Sequence, residues 1–242
     1  MQYVDTHLHL TKARHPDALC LALHENNIKG VSVSVDFKDS LNNLKLASSD
    51  FVCAVGLHPL YIKTALTNLE KDEWLNLFNH NKVLAIGECG LDGSDDFCPL
   101  SAQISNLRFF CDLAVRFNLP LSLHIRKNHG DLLKVLKDYQ GQIHGVIHGF
   151  TFSKELAKDY LNSGFKLGIG RYGLKAGSAF KTAIVYAGIA NLVLESDFDG
   201  SFDYDFNLLG QVNFALSELL KLEKDQCEAL LYKNSLSLFN LY

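Results

Sequence analysis

Eight short apolar segments alternate with stretches of helical periodicity along 242 residues, and this alternation constrains the fold more than any other feature of the chain. The segments lie near residues 3–9, 30–36, 51–57, 83–88, 120–125, 145–149, 165–169 and 192–197. Strand followed by helix, eight times over, is the pattern of a TIM-type (β/α)8 barrel. An open doubly wound sheet shares the alternation, but it carries a glycine-rich phosphate loop after its first strand. This chain has His7-Leu8-His9-Leu10-Thr11 there. We therefore expect an α/β barrel, regular or distorted, formed by residues 1–242 as one domain, with extra C-terminal helices over 207–222 and 225–238.

The intervening segments have the marks of outer helices. Residues 100–118 place Leu107, Phe110, Cys111, Ala114 and Val115 at helical spacing, with Arg108, Asp112 and Arg116 between them. Residues 154–162 follow Ser153, a good N-cap, and stop before Gly164. A hydrophobic content of 48% with only four prolines supports one large core without a linker.

A net charge of −4 argues against a protein that coats long duplexes, while leaving room for a small phosphate-handling site. The first strand begins too early to leave room for a secretory leader, and no apolar run reaches the roughly 18 residues of a membrane span. Six cysteines without a Cys-x-x-Cys pair fit reduced thiols. The expectation is a soluble, cytoplasmic protein with no membrane partner; the sequence leaves its oligomeric state open, a monomer being compatible with it.

Barrels of this class build their sites from the C-terminal ends of the strands. Asp5, His7 and His9 share one face of the first strand by alternation, so all three should converge on one volume. A His-x-His pair alone is weak evidence of a metal site, since a lone strand histidine is more often a hydrogen-bonded core residue. Other strand ends add His58, Glu88, His124, His148, Glu195 and Asp197. Carboxylates crowded into one mouth would repel one another, and divalent cations resolve the conflict. On the fifth strand Ser122, His124 and Arg126 share a face, bringing a guanidinium suited to phosphate oxygens toward the mouth. His129 lies close enough to reach a substrate; His15, His24, His80 and His144 read as ordinary rim or surface residues.

Six stretches occur in order: Asp5-Thr6-His7-Leu8-His9, Gly56-Leu57-His58-Pro59, Gly87-Glu88-Cys89-Gly90-Leu91-Asp92, Leu123-His124-Ile125-Arg126, His148-Gly149-Phe150 and Leu194-Glu195-Ser196-Asp197. Together they resemble the signature of the TatD family of metal-dependent DNases, within the amidohydrolase-like superfamily, from Val4 to about Phe239. The segments 124–129 and 145–150 resemble its YjjV-like bacterial branch.

The resemblance implies that His7 and His9 hold a first metal, that Glu88 bridges two, that His124 and His148 hold a second, and that Asp197 binds metal and water. It implies catalytic roles for Asp197, Glu88 and Arg126, with His58, Arg126 and Glu195 lining the substrate pocket; His129, close to strand five, and Arg171, in the loop after strand seven, are further candidate substrate contacts. The implied reaction is exonucleolytic hydrolysis of DNA phosphodiesters at a strand end by a metal-activated water. The implied cofactors are one or two divalent ions per subunit, and imidazole-rich ligation favours zinc or manganese over magnesium.

Two loops depart from the family pattern: the acidic, proline-free run Phe198-Asp199-Gly200-Ser201-Phe202-Asp203-Tyr204-Asp205, and Gly170-Arg171-Tyr172-Gly173-Leu174-Lys175 after strand seven. The nearest alternative is an amidohydrolase-type enzyme acting on an amide, lactone or other ester, although such barrels often bridge their metals with a lysine where this chain has Glu88. A second alternative is a non-catalytic metal-binding scaffold, which the acidic loop favours by its repulsion of a polyanion.

Overall fold

The computed structural model describes residues 2–94 and 98–241. Its strands are β1 (Tyr3–Leu8), β2 (Ile28–Val33), β3 (Phe51–Val55), β4 (Val83–Asp92), β5 (Leu121–Arg126), β6 (Gly145–Ile147), β7 (Phe165–Ile169) and β8 (Leu192–Leu194). Each pairs in parallel with the next, so the sheet order is the order of the chain. The helices are α1 (Pro16–Glu25), α2 (Phe37–Asn43), α3 (Asn68–Phe78), α4 (Leu100–Phe117), α5 (His129–Asp138), α6 (Lys154–Asn162), α7 (Ser178–Ala187), α8 (Leu208–Leu220) and α9 (Lys224–Phe239).

Local chemistry sets the helix ends. Ser153 Oγ accepts from Leu156 N at the start of α6, and Gly164, at φ +91, takes the chain out of it. The α4 stripe of Leu107, Phe110, Cys111 and Ala114 is buried, while Val115 is exposed.

The strands feed two apolar layers. One parity, including Ile28, Phe51, Cys53, Leu121, Leu123, Phe165 and Leu167, packs under the helices. The other, including Val4, Val31, Val33, Val52, Ala54, Ala85, Val146 and Val193, forms a smaller cluster completed by Leu238, Phe239 and Leu241 at the end of α9. That second cluster fills the barrel interior, and α9 stoppers its lower end.

Side chains do much of the work of closing the ring. Among the described residues, β1 and the segment that follows β8 share one bridge, Leu8 to Phe198, with His9 N donating to Phe198 O at 2.7 Å and Asp197 N to His7 O at 2.9 Å. Asp5, fully buried, accepts from Ser196 N at 2.9 Å and from the Tyr204 hydroxyl at 2.9 Å, and Thr6 Oγ1 donates to Leu194 O at 2.8 Å. Burial lifts the Asp5 carboxyl to about 6, against the pull of these donors.

Asp5→Ala strands the Ser196 amide and the Tyr204 hydroxyl in a dry seam, at about 1–3 kcal/mol each. The melting temperature should therefore fall by roughly 4–24 °C for a chain of this size. Tyr204→Phe removes one bond and should cost only about 1 kcal/mol. Calorimetry of both variants checks this, and equal losses would deny Asp5 its place at the seam.

Candidate metal centre

One or two residues beyond the interior layer, the same strand faces turn polar. Val146 leads to His148, Ser122 to His124 and Arg126, Ala54 through Gly56 to His58, and Val193 through Glu195 to Asp197. Two breaks in register supply the remaining groups. The β4–β5 pairing shifts between Ile86 and Cys89, and Gly87, at φ +147, lets Glu88 turn inward although Ala85 already points there. A side chain at 87 would also meet the Ser122 carbonyl oxygen at 2.7 Å.

The second break lies between Asp5 and Leu8 on β1. It corrects the expectation that Asp5 joins His7 and His9. The two histidines face Glu88, while Asp5 turns to the seam, because strict alternation does not survive the shift.

Glu88, only 3% exposed, is the hub. Its Oε2 lies 3.4 Å from His7 Nε2 and 3.6 Å from His9 Nε2. Its Oε1 lies 2.9 Å from His124 Nδ1 and 2.8 Å from His148 Nε2, and those two nitrogens are 3.1 Å apart. Asp197 Oδ1 stands 4.0 Å from His7 Nε2 at the more open side, and the His7 ring stacks on His148 with centroids 4.0 Å apart.

The outer nitrogens of the imidazoles determine what the inner ones offer. His9 Nδ1 lies 2.8 Å from the Val33 carbonyl oxygen and must donate to it, leaving Nε2 as a lone pair aimed at Glu88. His124 Nε2 lies 2.9 Å from Asp92 Oδ2, which leaves Nδ1 free to coordinate. His7 Nδ1 is 3.0 Å from Ser122 Oγ.

These donors fit divalent cations. Two ligands bound at about 2.1 Å in a tetrahedral shell sit about 3.4 Å apart, close to the spacings around Oε2. His7 Nε2 is buried without a hydrogen-bond partner, a costly state that a coordinated cation relieves. The carboxylate thus separates two donor groups: His7 and His9 on Oε2, and His124 and His148 on Oε1.

Without a cation, charge redistributes inside the cluster. Burial pushes Glu88 up, but His58, His148 and His7 override it and hold the carboxyl well below its ordinary range. Burial opposes the His148 imidazolium, yet Glu88 lifts it to about 10. Burial pushes His7 and His58 down to about 4. His124 is raised by Asp92 and Glu88 against its burial.

His58 stands differently from the other four. Leu60 N donates to its Nδ1 at 3.1 Å, so the ring proton sits on Nε2 and faces Glu88 Oε1 at 3.4 Å, as a donor on the pocket wall. Glu195 is buried with Oε1 accepting from Gly149 N and Oε2 unpartnered, and burial first, then Asp197, raises it to about 8. A Cβ at Gly168 would lie 2.0 Å from Glu195 Oε2, so glycine there makes room for the carboxylate.

Three of the residues singled out in the sequence lie outside the cluster. Arg126 is exposed at the end of β5 and has no ion pair among the described residues. His129 opens α5 with Nδ1 2.7 Å from the Tyr160 hydroxyl and its ring edge-on to Phe152. Arg171 lies over the Phe202 ring at 4.2 Å, which ties the two divergent loops together. In the acidic loop, Phe198 and Tyr204 are buried, Asp199 Oδ1 accepts from Ser201 N at 2.9 Å, and Asp205 Oδ1 accepts from Asn207 N at 3.0 Å. Two of its aspartates are turn formers.

Sequence reasoning missed the partners behind the histidines. Asp92 closed the Gly87–Asp92 stretch and could have been noticed as a carboxylate at a strand end; Ser122 carried no comparable signal.

Among the described residues, no helix is long and apolar enough to cross a membrane. The model of the family described as "TatD related DNase" matches residues 4–240. The chain is 30% identical over 213 residues to an "Uncharacterized metal-dependent hydrolase" of Haemophilus influenzae, covering 81% of each protein. It is 32% identical over 200 residues to the "Uncharacterized metal-dependent hydrolase YjjV" of Escherichia coli K12, covering 78% of this chain and 76% of the relative. The crystal structure of the TatD homolog YJJV from E. coli superposes with a TM-score of 0.88 at 26% identity, covering 98% of both chains. The chain belongs to the TatD family of metal-dependent hydrolases, in the company of its YjjV-like members.

Proposed function

We propose that the protein is a metal-dependent deoxyribonuclease that removes nucleotides from a DNA strand end. The observation that carries this reading is the division of the imidazoles by Glu88, with His7 and His9 on one oxygen and His124 and His148 on the other. The family's own description as DNases supplies the substrate class. His7, His9 and Glu88 would hold one divalent cation, and Glu88, His124 and His148 a second, with Asp197 beside them. Nitrogen-rich donors suit zinc or manganese better than magnesium.

When bound, the cations supply Lewis acidity that lowers the pKa of a water and polarises the phosphoryl oxygen. Asp197, on the solvent side of the cluster, would orient the attacking water and take up its proton. Arg126 reaches from the rim to the nonbridging phosphate oxygens through its paired N–H groups. His58 and Glu195 shape the pocket wall, and His129 and Arg171 meet the flanking nucleotide. Six free cysteines, five of them buried, support a reducing, cytoplasmic setting.

EDTA-stripped protein reloaded with Mn²⁺, Zn²⁺ or Mg²⁺ should shorten end-labelled single-stranded DNA one nucleotide at a time and be silent without metal. Turnover of amides, lactones or simple esters with no phosphodiester cleavage would overturn the nuclease reading in favour of an amidohydrolase.

A further inference from the structure

We infer that Asp92 is a positioning residue that sets the affinity of the cation site formed by Glu88 Oε1, His124 and His148, while leaving the site at His7 and His9 unaffected. This rests on the metal-centre reading and adds an unequal pair of sites to it. Asp92 is 1% exposed, and its two carboxylate oxygens have separate tasks. Oδ1 accepts from Ser94 N at 2.7 Å and holds the turn that follows β4. Oδ2 lies 2.9 Å from His124 Nε2, on the side of the ring opposite Glu88.

The direction of that carboxylate is fixed from behind. Gln103 of α4, itself 1% exposed, accepts from Asp92 N through Oε1 at 2.8 Å and donates to Asp92 O through Nε2 at 3.0 Å. A residue needed only for the turn would require neither the second oxygen nor this clamp on its backbone.

The consequence follows from tautomer chemistry. A carboxylate accepts only, so Asp92 keeps the His124 proton on Nε2 and presents Nδ1 as a lone pair of raised basicity. Among the described residues, His124 alone of the facing imidazoles has a carboxylate hydrogen-bonded behind it: His9 leans on the Val33 carbonyl, His7 on the Ser122 hydroxyl, and His148 Nδ1 has no hydrogen-bond partner. In Asp92→Asn the amide oxygen can keep the Ser94 bond, which directs the amide NH₂ at His124 Nε2. That selects the tautomer with its proton on Nδ1, the nitrogen that should bind metal.

Calorimetric titration of EDTA-stripped protein with Mn²⁺ at fixed pH tests this. The parent should show two binding events, and Asp92→Asn should weaken one of them by roughly 10- to 100-fold while the other stays the same. Asp92→Glu, which keeps the charge, should recover part of the loss. Unchanged isotherms in Asp92→Asn beside a binding parent would overturn this inference alone. Equal weakening of both events would also overturn it, by making Asp92 a brace for the turn. A parent that binds no cation would overturn the metal-centre reading and this inference with it.

Discussion

Glu88→Ala should reduce metal-dependent cleavage by roughly 10²- to 10⁴-fold and lower the metal bound per chain in the same preparation. Among the described residues, no other side chain faces both donor groups, with Oε2 toward His7 and His9 and Oε1 toward His124 and His148. Its removal takes one oxygen from each cation position and leaves imidazoles facing one another without a counter-charge. Glu88→Gln keeps the shape but halves the donor set, since an amide nitrogen does not coordinate. It should behave like the alanine variant in activity while retaining more of the parent's thermal stability. Cleavage rates and inductively coupled plasma analysis on parallel samples check both statements, and full activity in either variant would remove Glu88 from the mechanism.

Stripped of metal, the protein should be most stable at mildly acidic pH, between about 4 and 6.5, and lose stability in both directions, the raised carboxyls of Asp5 and Glu195 adding to the loss as pH rises. On the acid side, His7 and His58 are pushed from 6.5 down to about 4. The unfolded chain then takes up protons that the folded chain refuses, so their contribution to stability falls as pH drops through that window. On the alkaline side, His148 is raised from 6.5 to about 10, and its contribution is complete below 6.5 and lost as pH climbs toward 10. Glu88 is depressed, so its contribution is present above 4.5 and lost only as pH falls through its lowered value. Each unmatched proton changes stability by about 1.4 kcal/mol per pH unit. Urea unfolding of the stripped protein across this range should trace a dome. A steady rise above pH 6.5 would contradict the Glu88–His148 ion pair. Saturating cation displaces the His148 proton, so it should shift the maximum to higher pH, with affinity rising about tenfold per pH unit for each proton released.

The barrel was legible because each of its parts is local. Apolar runs of four to seven residues, separated by amphipathic stretches, leave few alternatives for a chain of this length. Ser153 and Gly164 bracket α6 at 154–162 on chemistry visible in the residues themselves. Where strands start and stop was less visible. β2 begins at Ile28 rather than near residue 30, and β4 continues to Asp92 rather than stopping at residue 88, because neighbouring strands extend pairing past the apolar run.

The donor cluster was visible for a different reason: strand ends collect at one mouth, so polar residues there must meet. What the chain did not reveal is how they turn. Strict alternation grouped Asp5 with His7 and His9, a conclusion that fails at the register shift on β1, and Glu88 reaches the mouth only because β4 shifts register beyond Ala85. Such shifts depend on the neighbouring strands rather than on the strand's own residues. The partners of the histidines were hidden likewise. Asp92 and Ser122 act across strands, and the Tyr204 hydroxyl reaches Asp5 from 199 positions away.

The seam between β1 and β8 ties the site to the history of the chain. His7 and His9 leave the ribosome well before Asp197, which follows β8 and lies 188 residues beyond His9. Until then the sheet is an open ribbon, and Asp5 and Thr6 lack the partners they find at Ser196, Tyr204 and Leu194. The complete donor set comes into being with the closed ring. A cation held by His7 and Asp197 together would therefore mark a ring that has closed, a pairing that a fragment ending before Asp197 cannot make.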